Sequence, residues 1–101
     1  PQVGWNKISK YTSYNLDWGN SPLKTLPENT YMYFVHSFYI SPAKKDLILS
    51  TTNYGGIKFC SSIQSNNIFG FQFHPERSGH NGLQIYRNLA ELSLNKFITR
   101  R

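Results

Sequence analysis

The apolar residues of this 101-residue chain change their spacing once, at Gly79. Before it they come in short runs rich in aromatic and β-branched residues, punctuated by Gly, Pro, Asn and Ser, which is the pattern of strands and turns. After it Leu83, Tyr86, Ala90, Leu94 and Phe97 recur every three or four residues, with Leu89 flanking the stripe, which is the spacing of one helix face. A chain so divided is expected to fold as a β-rich unit closed by one amphipathic helix, α+β if it stands alone.

Within the first part, Val3 to Ile8 is a short strand candidate, followed by a polar stretch from Ser9 to Pro27 with turn signals at Asp17 to Pro22 and Leu26 to Asn29. Thr30 to Ile40 is a longer aromatic strand stopped by Ser41 and Pro42. Leu47 to Tyr54 and Ile57 to Gln64 flank Gly55-Gly56, a hairpin signal whose glycines tolerate positive φ. Ser65 to Asn67 marks another turn, and Ile68 to Phe73 is the next strand. Asn81 is a candidate N-cap of the helix, and Lys96, Arg100 and Arg101 suit its negative end. About five strands, mostly joined by hairpin-length turns, and one helix are expected in a single domain.

Net charge is +6, from 11 Lys and Arg against 5 Asp and Glu, but the basic residues are scattered with no run longer than two. That pattern favours a solvated surface over a nucleic-acid face. Cys60 is the single cysteine, so the chain has no internal disulfide framework, and a reducing, cytoplasmic setting is the simpler expectation. No apolar run approaches the ~20 residues of a membrane span. Three histidines without a cluster of cysteines or carboxylates argue against a structural zinc site.

The chemistry lies at the end of the last strand, in His74-Pro75-Glu76. Residues i and i+2 of an extended chain point to one side, and Pro75 keeps His74 out of the helical region. The Glu76 carboxylate is therefore expected beside the His74 ring, holding one ring nitrogen and leaving the other free to take a proton from a nucleophile. Cys60, in a strand without a glycine on either side, reads as structural. His36 reads as packed and hydrogen-bonded, and His80 as a solvated loop residue. Trp18 is either a loop anchor or a contact.

Phe73-His74-Pro75-Glu76-Arg77-Ser78-Gly79 resembles the corresponding segment of the triad-type, class I glutamine amidotransferases. Four further segments, Pro1 to Asn6, Tyr33 to Tyr39, Thr51 to Gly55 and Gly70 to Phe73, resemble in order and spacing the glutaminase subunits of imidazole glycerol phosphate synthase, from residue 1 to near residue 95. The resemblance implies an α/β fold of flavodoxin-like type, to which residues 1–101 contribute the later strands, a hairpin region and the last helix. It implies glutamine hydrolysis through a cysteine thioester, with His74 as base and Glu76 as its orienter. The backbone amides of Ser37 and Phe38 would hold the substrate's α-carboxylate. Trp5, Asn6, Tyr33 and Arg77 would face the synthase (cyclase) barrel subunit, which receives the ammonia for histidine biosynthesis. Neither cofactor nor metal is implied, and neither nucleic acid nor membrane as a partner.

The family's nucleophile lies in a Gly-x-Cys-x-Gly elbow in the N-terminal half of the domain, and residues 1–101 contain no such elbow. The expectation is a C-terminal portion of one domain that carries base and orienter without the attacker and is inactive by itself. Sheet edges and apolar surface left uncovered would favour low stability or self-association. The competing readings are an amidotransferase with another acceptor, a non-catalytic module that keeps only the interface, and a basic aromatic domain for single-stranded nucleic acid.

Overall fold

The computed structural model describes residues 2–11 and 18–99, without the side chains of residues 95–99. Among the described residues five strands, β1 (Gln2–Lys10), β2 (Thr30–His36), β3 (Ile48–Tyr54), β4 (Ile57–Ser65) and β5 (Ile68–Phe71), precede one α-helix, α1 (Gly79–Thr99). The strands form one sheet in the order β2-β1-β3-β4-β5. Each neighbouring pair is antiparallel. β1 gives residues 2–8 to β2 and only Ser9 and Lys10 to β3, so the sheet turns a corner along that strand.

The β3–β4 hairpin closes through Gly55 (φ 59°) and Gly56 (φ 81°), the paired positive φ that a two-residue turn of this hand requires. The β4–β5 connection is equally short, with Ser65 opposite Ile68. The other two connections, Lys10 to Thr30 and His36 to Ile48, are long, so hairpin-length turns account for only half of the strand joints. β2 ends at His36, opposite Gln2 of β1, rather than at Ile40. β5 ends at Phe71 rather than Phe73.

Beyond β5 the chain crosses from one edge of the sheet to the other. The Gln72 N–H donates to the Ser61 carbonyl of β4 at 2.9 Å, and two residues later the His74 N–H donates to the Tyr33 carbonyl of β2 at 2.9 Å. The sheet therefore curls around a core of Ile8, Met32, Phe34, Leu49, Phe59 and Phe73, joined by Ile85 from α1. Phe34 stands near its middle, edge-on to Phe73 at 5.7 Å and to Phe59 at 6.0 Å.

The stretch read as polar supplies core as well. Trp18, Leu23 and Leu26 are buried, and the Trp18 indole N–H donates to the Leu49 carbonyl at 2.7 Å, which makes Trp18 a loop anchor. Asp17 lies outside the described residues.

Helix α1 departs from expectation at both its start and its face. It begins at Gly79, so Asn81 sits inside the first turn and is not the cap, and His80 is an exposed helix residue. Its buried face carries Gly82, Ile85 and Asn88, with Leu89 half-buried beside them. The Asn88 side-chain amide donates to the Pro22 carbonyl at 2.9 Å, which fixes that face on the 18–29 segment. The stripe singled out from spacing is displaced from it: Leu83, Tyr86 and Leu94 are among the exposed large hydrophobics, and Ala90 is exposed too. The side chains of Phe97 and Lys96, and all of Arg100 and Arg101, lie outside the described residues.

Candidate active site

His74 has extended backbone (φ −107°, ψ 97°) and opens the short 3-10 turn Pro75–Arg77, in which Pro75 takes the first position, where a missing N–H costs nothing. Its N–H is held by Tyr33, and its carbonyl accepts from the Arg77 N–H at 3.0 Å and from the Ser78 hydroxyl at 2.6 Å. Ser78 is buried, and its hydroxyl oxygen also accepts from the Tyr33 N–H at 2.9 Å. A single hydroxyl thus ties the turn to the outer edge of β2. This brace was not foreseen in the sequence, where Ser78-Gly79 reads simply as the turn into the helix.

The brace sets the side chains. His74 Nδ1 lies 3.0 Å from Glu76 Oε2, with the two side chains 39% and 54% exposed. The Glu76 carboxyl is held below the usual glutamate range first by its own backbone N–H, against an opposing desolvation cost, with the His74 hydrogen bond and charge and then the Arg77 charge adding to the lowering. Because the folded value is depressed, the bond's contribution is fully present above the ordinary glutamate range and is lost as pH falls through the lower folded value. An ionised carboxylate only accepts, so Nδ1 carries the proton and Nε2 offers a lone pair. Among the described residues Nε2 has no hydrogen-bond partner, and the half-exposed ring leaves it accessible.

Cys60 has none of these properties. It is 7% exposed on β4 opposite Thr51, and its thiol donates to the Ser62 carbonyl at 3.3 Å. Burial pushes the thiol up to about 11, with the Ser62 contact opposing. A thiol so protonated at neutral pH is a poor nucleophile. Cys60→Ala is therefore expected to cost about 1–2 kcal/mol of stability and no more. A denaturant titration measures it.

The residues expected at a partner face separate into two groups. Trp5 and Tyr33 are a directly opposed cross-strand pair on β1 and β2, edge-on at 5.7 Å and 71°. Trp5 is exposed, as are Val3, Tyr31 and Val35, which share that face by the period of two. Asn6 is half-buried, and its amide donates to the Asn53 carbonyl at 2.7 Å while its oxygen accepts from the Lys7 N–H at 2.8 Å. Arg77 is exposed on the His74 turn. Through the His74 and Ser78 bonds to Tyr33, this turn is anchored on the strand that carries half of the aromatic pair.

Ser37 and Phe38 begin the loop after β2, and both are exposed, Phe38 by 85%. Among the described residues no group of three or more His, Cys, Asp or Glu side chains is arranged to hold a metal ion, and no helix is long and apolar enough to cross a membrane.

Comparison with known proteins places these residues in context. The class-I glutamine amidotransferase family profile matches residues 4–91. The imidazole glycerol phosphate synthase subunit HisH of Chlorobaculum tepidum is 42% identical over 91 residues, which cover 90% of this chain and 42% of that protein. The subunit of the same name from Dehalococcoides mccartyi is 42% identical over 94 residues, covering 93% of this chain and 42% of its own length. That of Buchnera aphidicola is 47% identical over 92 residues, covering 91% and 42%. The chain thus spans less than half the length of the relatives it matches. With the family match running through β1 to most of α1, and with the His74–Glu76 pair within it, this chain belongs to the class-I glutamine amidotransferase family.

Proposed function

We propose that residues 1–101 are the C-terminal portion of a glutamine amidotransferase domain that hydrolyses glutamine and supplies ammonia for imidazole glycerol phosphate formation. The observation that carries this reading is the 3.0 Å contact between His74 Nδ1 and Glu76 Oε2, which leaves Nε2 accessible. The nucleophilic cysteine comes from the other part of the domain, outside this chain. His74 Nε2 takes the thiol proton, and the thiolate attacks the side-chain carboxamide carbon of glutamine. The tetrahedral intermediate collapses to a thioester as His74 returns the proton to the departing ammonia. Water, deprotonated by the same nitrogen, then cleaves the thioester, releasing glutamate and restoring the thiol. Glu76 holds the productive tautomer and stabilises the imidazolium formed in each half. The Ser37 and Phe38 amides receive the α-carboxylate.

The partner in this reading is a synthase barrel subunit, with which the protein forms a cytoplasmic heterodimer. Trp5 and Tyr33 supply an apolar anchor, Asn6 stiffens the strand beneath them, and Arg77 is placed to meet a carboxylate. The names and family of the relatives support this, together with the exposure of the aromatic pair. The uncovered Leu83, Tyr86 and Leu94 stripe fits a surface buried by the rest of the domain, and in its absence a site of self-association.

Ammonia release from glutamine by the protein with its complete domain tests the reading. Glu76→Gln keeps an acceptor for Nδ1 but removes the charge that stabilises imidazolium, so kcat is expected to fall about tenfold to a hundredfold, with the fold intact. Unchanged kcat would contradict the assigned role of Glu76.

A further inference from the structure

We infer that His36 is a positioning residue of this site. Its ring ties back the Phe38 carbonyl so that the loop after β2 presents its N–H groups to the substrate's carboxylate. The inference rests on the amidotransferase reading and adds to it a residue whose side chain touches neither the reacting atoms nor the substrate.

The geometry starts at the end of β2. His36 Nδ1 lies 2.9 Å from the Phe38 carbonyl oxygen, and Nε2 lies 2.8 Å from Oε1 of the Gln2 side-chain amide. A carbonyl only accepts, so Nδ1 carries the hydrogen, and in the neutral ring Nε2 must accept. The Gln2 amide satisfies it after a half-turn that brings its nitrogen to the place of Oε1, an exchange of two groups of the same shape. Gln2 is 3% exposed, so this backing is shielded from water. The ring is also packed against Phe59 at 5.3 Å and Phe34 at 5.8 Å. A fixed ring therefore holds one backbone carbonyl of an otherwise exposed loop.

That single bond orients the next peptide unit. Carbonyl and N–H of a trans peptide point in opposite directions, so drawing the Phe38 carbonyl toward the ring turns the Tyr39 N–H away from it. The far end of the loop is tied separately: the Ile40 N–H donates to Gln72 Oε1 at 3.3 Å, and Gln72 stands two residues before His74. From the end of β2 to the second attachment, with the first in its middle, the N–H groups of Ser37, Phe38 and Tyr39 have no hydrogen-bond partner among the described residues. Successive free N–H donors on a loop anchored to the strand that leads to the base suit a carboxylate held at a set distance from the reacting centre.

Kinetics of the complete protein with glutamine and with glutamine α-amide, which keeps the reacting carboxamide but lacks the charged carboxylate, provide the test. His36→Leu is expected to raise KM for glutamine about tenfold or more with kcat within about threefold, the pattern of lost ground-state binding through a charge-assisted contact. The loss on glutamine α-amide is expected to be much smaller. His36→Asn, whose amide N–H can replace the Nδ1 donor, is expected to recover most of the affinity. If His36→Leu does not fold, Gln2→Leu decides, since it leaves the ring and frees its far side; it is expected to give the same pattern at smaller size. A fall in kcat at constant KM, or equal losses on the two substrates, would overturn the inference. Full activity in His74→Ala would instead overturn the underlying amidotransferase reading, whatever His36 does.

Discussion

Replacing His74 by alanine in the protein that carries the complete domain is expected to lower kcat for glutamine hydrolysis by about a thousandfold, the size of a lost general base that serves both halves of a thioester mechanism. Stability should fall by no more than about 1 kcal/mol, because a half-exposed side chain contributes little to packing. The two bonds that hold the turn, from the His74 N–H to Tyr33 and from Ser78 to the His74 carbonyl, are made by backbone atoms that alanine retains. Loss of activity at nearly constant melting temperature separates a missing proton acceptor from a damaged fold. Activity within tenfold of the parent would remove His74 from the mechanism.

The second large effect is on stability, at Gly82. A Cβ there would lie 1.9 Å from the Pro75 carbonyl oxygen and 2.9 Å from Ser78 Cβ. The nearer obstacle is backbone, so it cannot move aside as a flexible side chain would. Glycine to alanine inside a helix ordinarily stabilises by about 1 kcal/mol, but here the overlap decides the sign. In the protein that carries the complete domain, Gly82→Ala is expected to cost about 3 kcal/mol or more, which for a domain roughly twice the length of this chain lowers Tm by about 6–12 °C or more. The helix would have to move off the turn that carries His74, so turnover should fall as well. A thermal melt and an ammonia assay on one preparation check both, and a Tm equal to the parent's would mean that helix and turn are not packed this closely.

Much of this site is local, and local features are legible in sequence. An extended histidine, a proline and a glutamate place two side chains on one side of the chain, and the 3.0 Å contact follows. The Gly55-Gly56 hairpin is legible for the same reason, since only a few residue types take positive φ twice in succession. What escapes is whatever depends on a distant partner. Ser78 becomes a brace only because β2 presents the Tyr33 N–H to it across 45 positions of sequence. Gln2 and His36 meet only because β1 and β2 pair in one register.

The helix shows the same limit in another form. Apolar spacing identifies α1, yet the face it buries is set by Gly82, which permits close approach, and by Asn88, whose amide finds the Pro22 carbonyl. Neither residue is hydrophobic, so neither weighs in a count of apolar positions. Leu83, Tyr86 and Leu94 keep the expected period but stand exposed. Likewise Trp18, Leu23 and Leu26 lie in a stretch without strand or helix periodicity, and only the closed core reveals them as its floor.

The central claim is that His74 activates a thiol that is not Cys60. A chloroketone analogue of glutamine, reacted with the complete protein and located by mass spectrometry, tests it most directly. The account predicts one adduct, on a cysteine outside residues 1–101, with labelling much slower in His74→Ala. An adduct on Cys60, or labelling that proceeds at the same rate without His74, would contradict it.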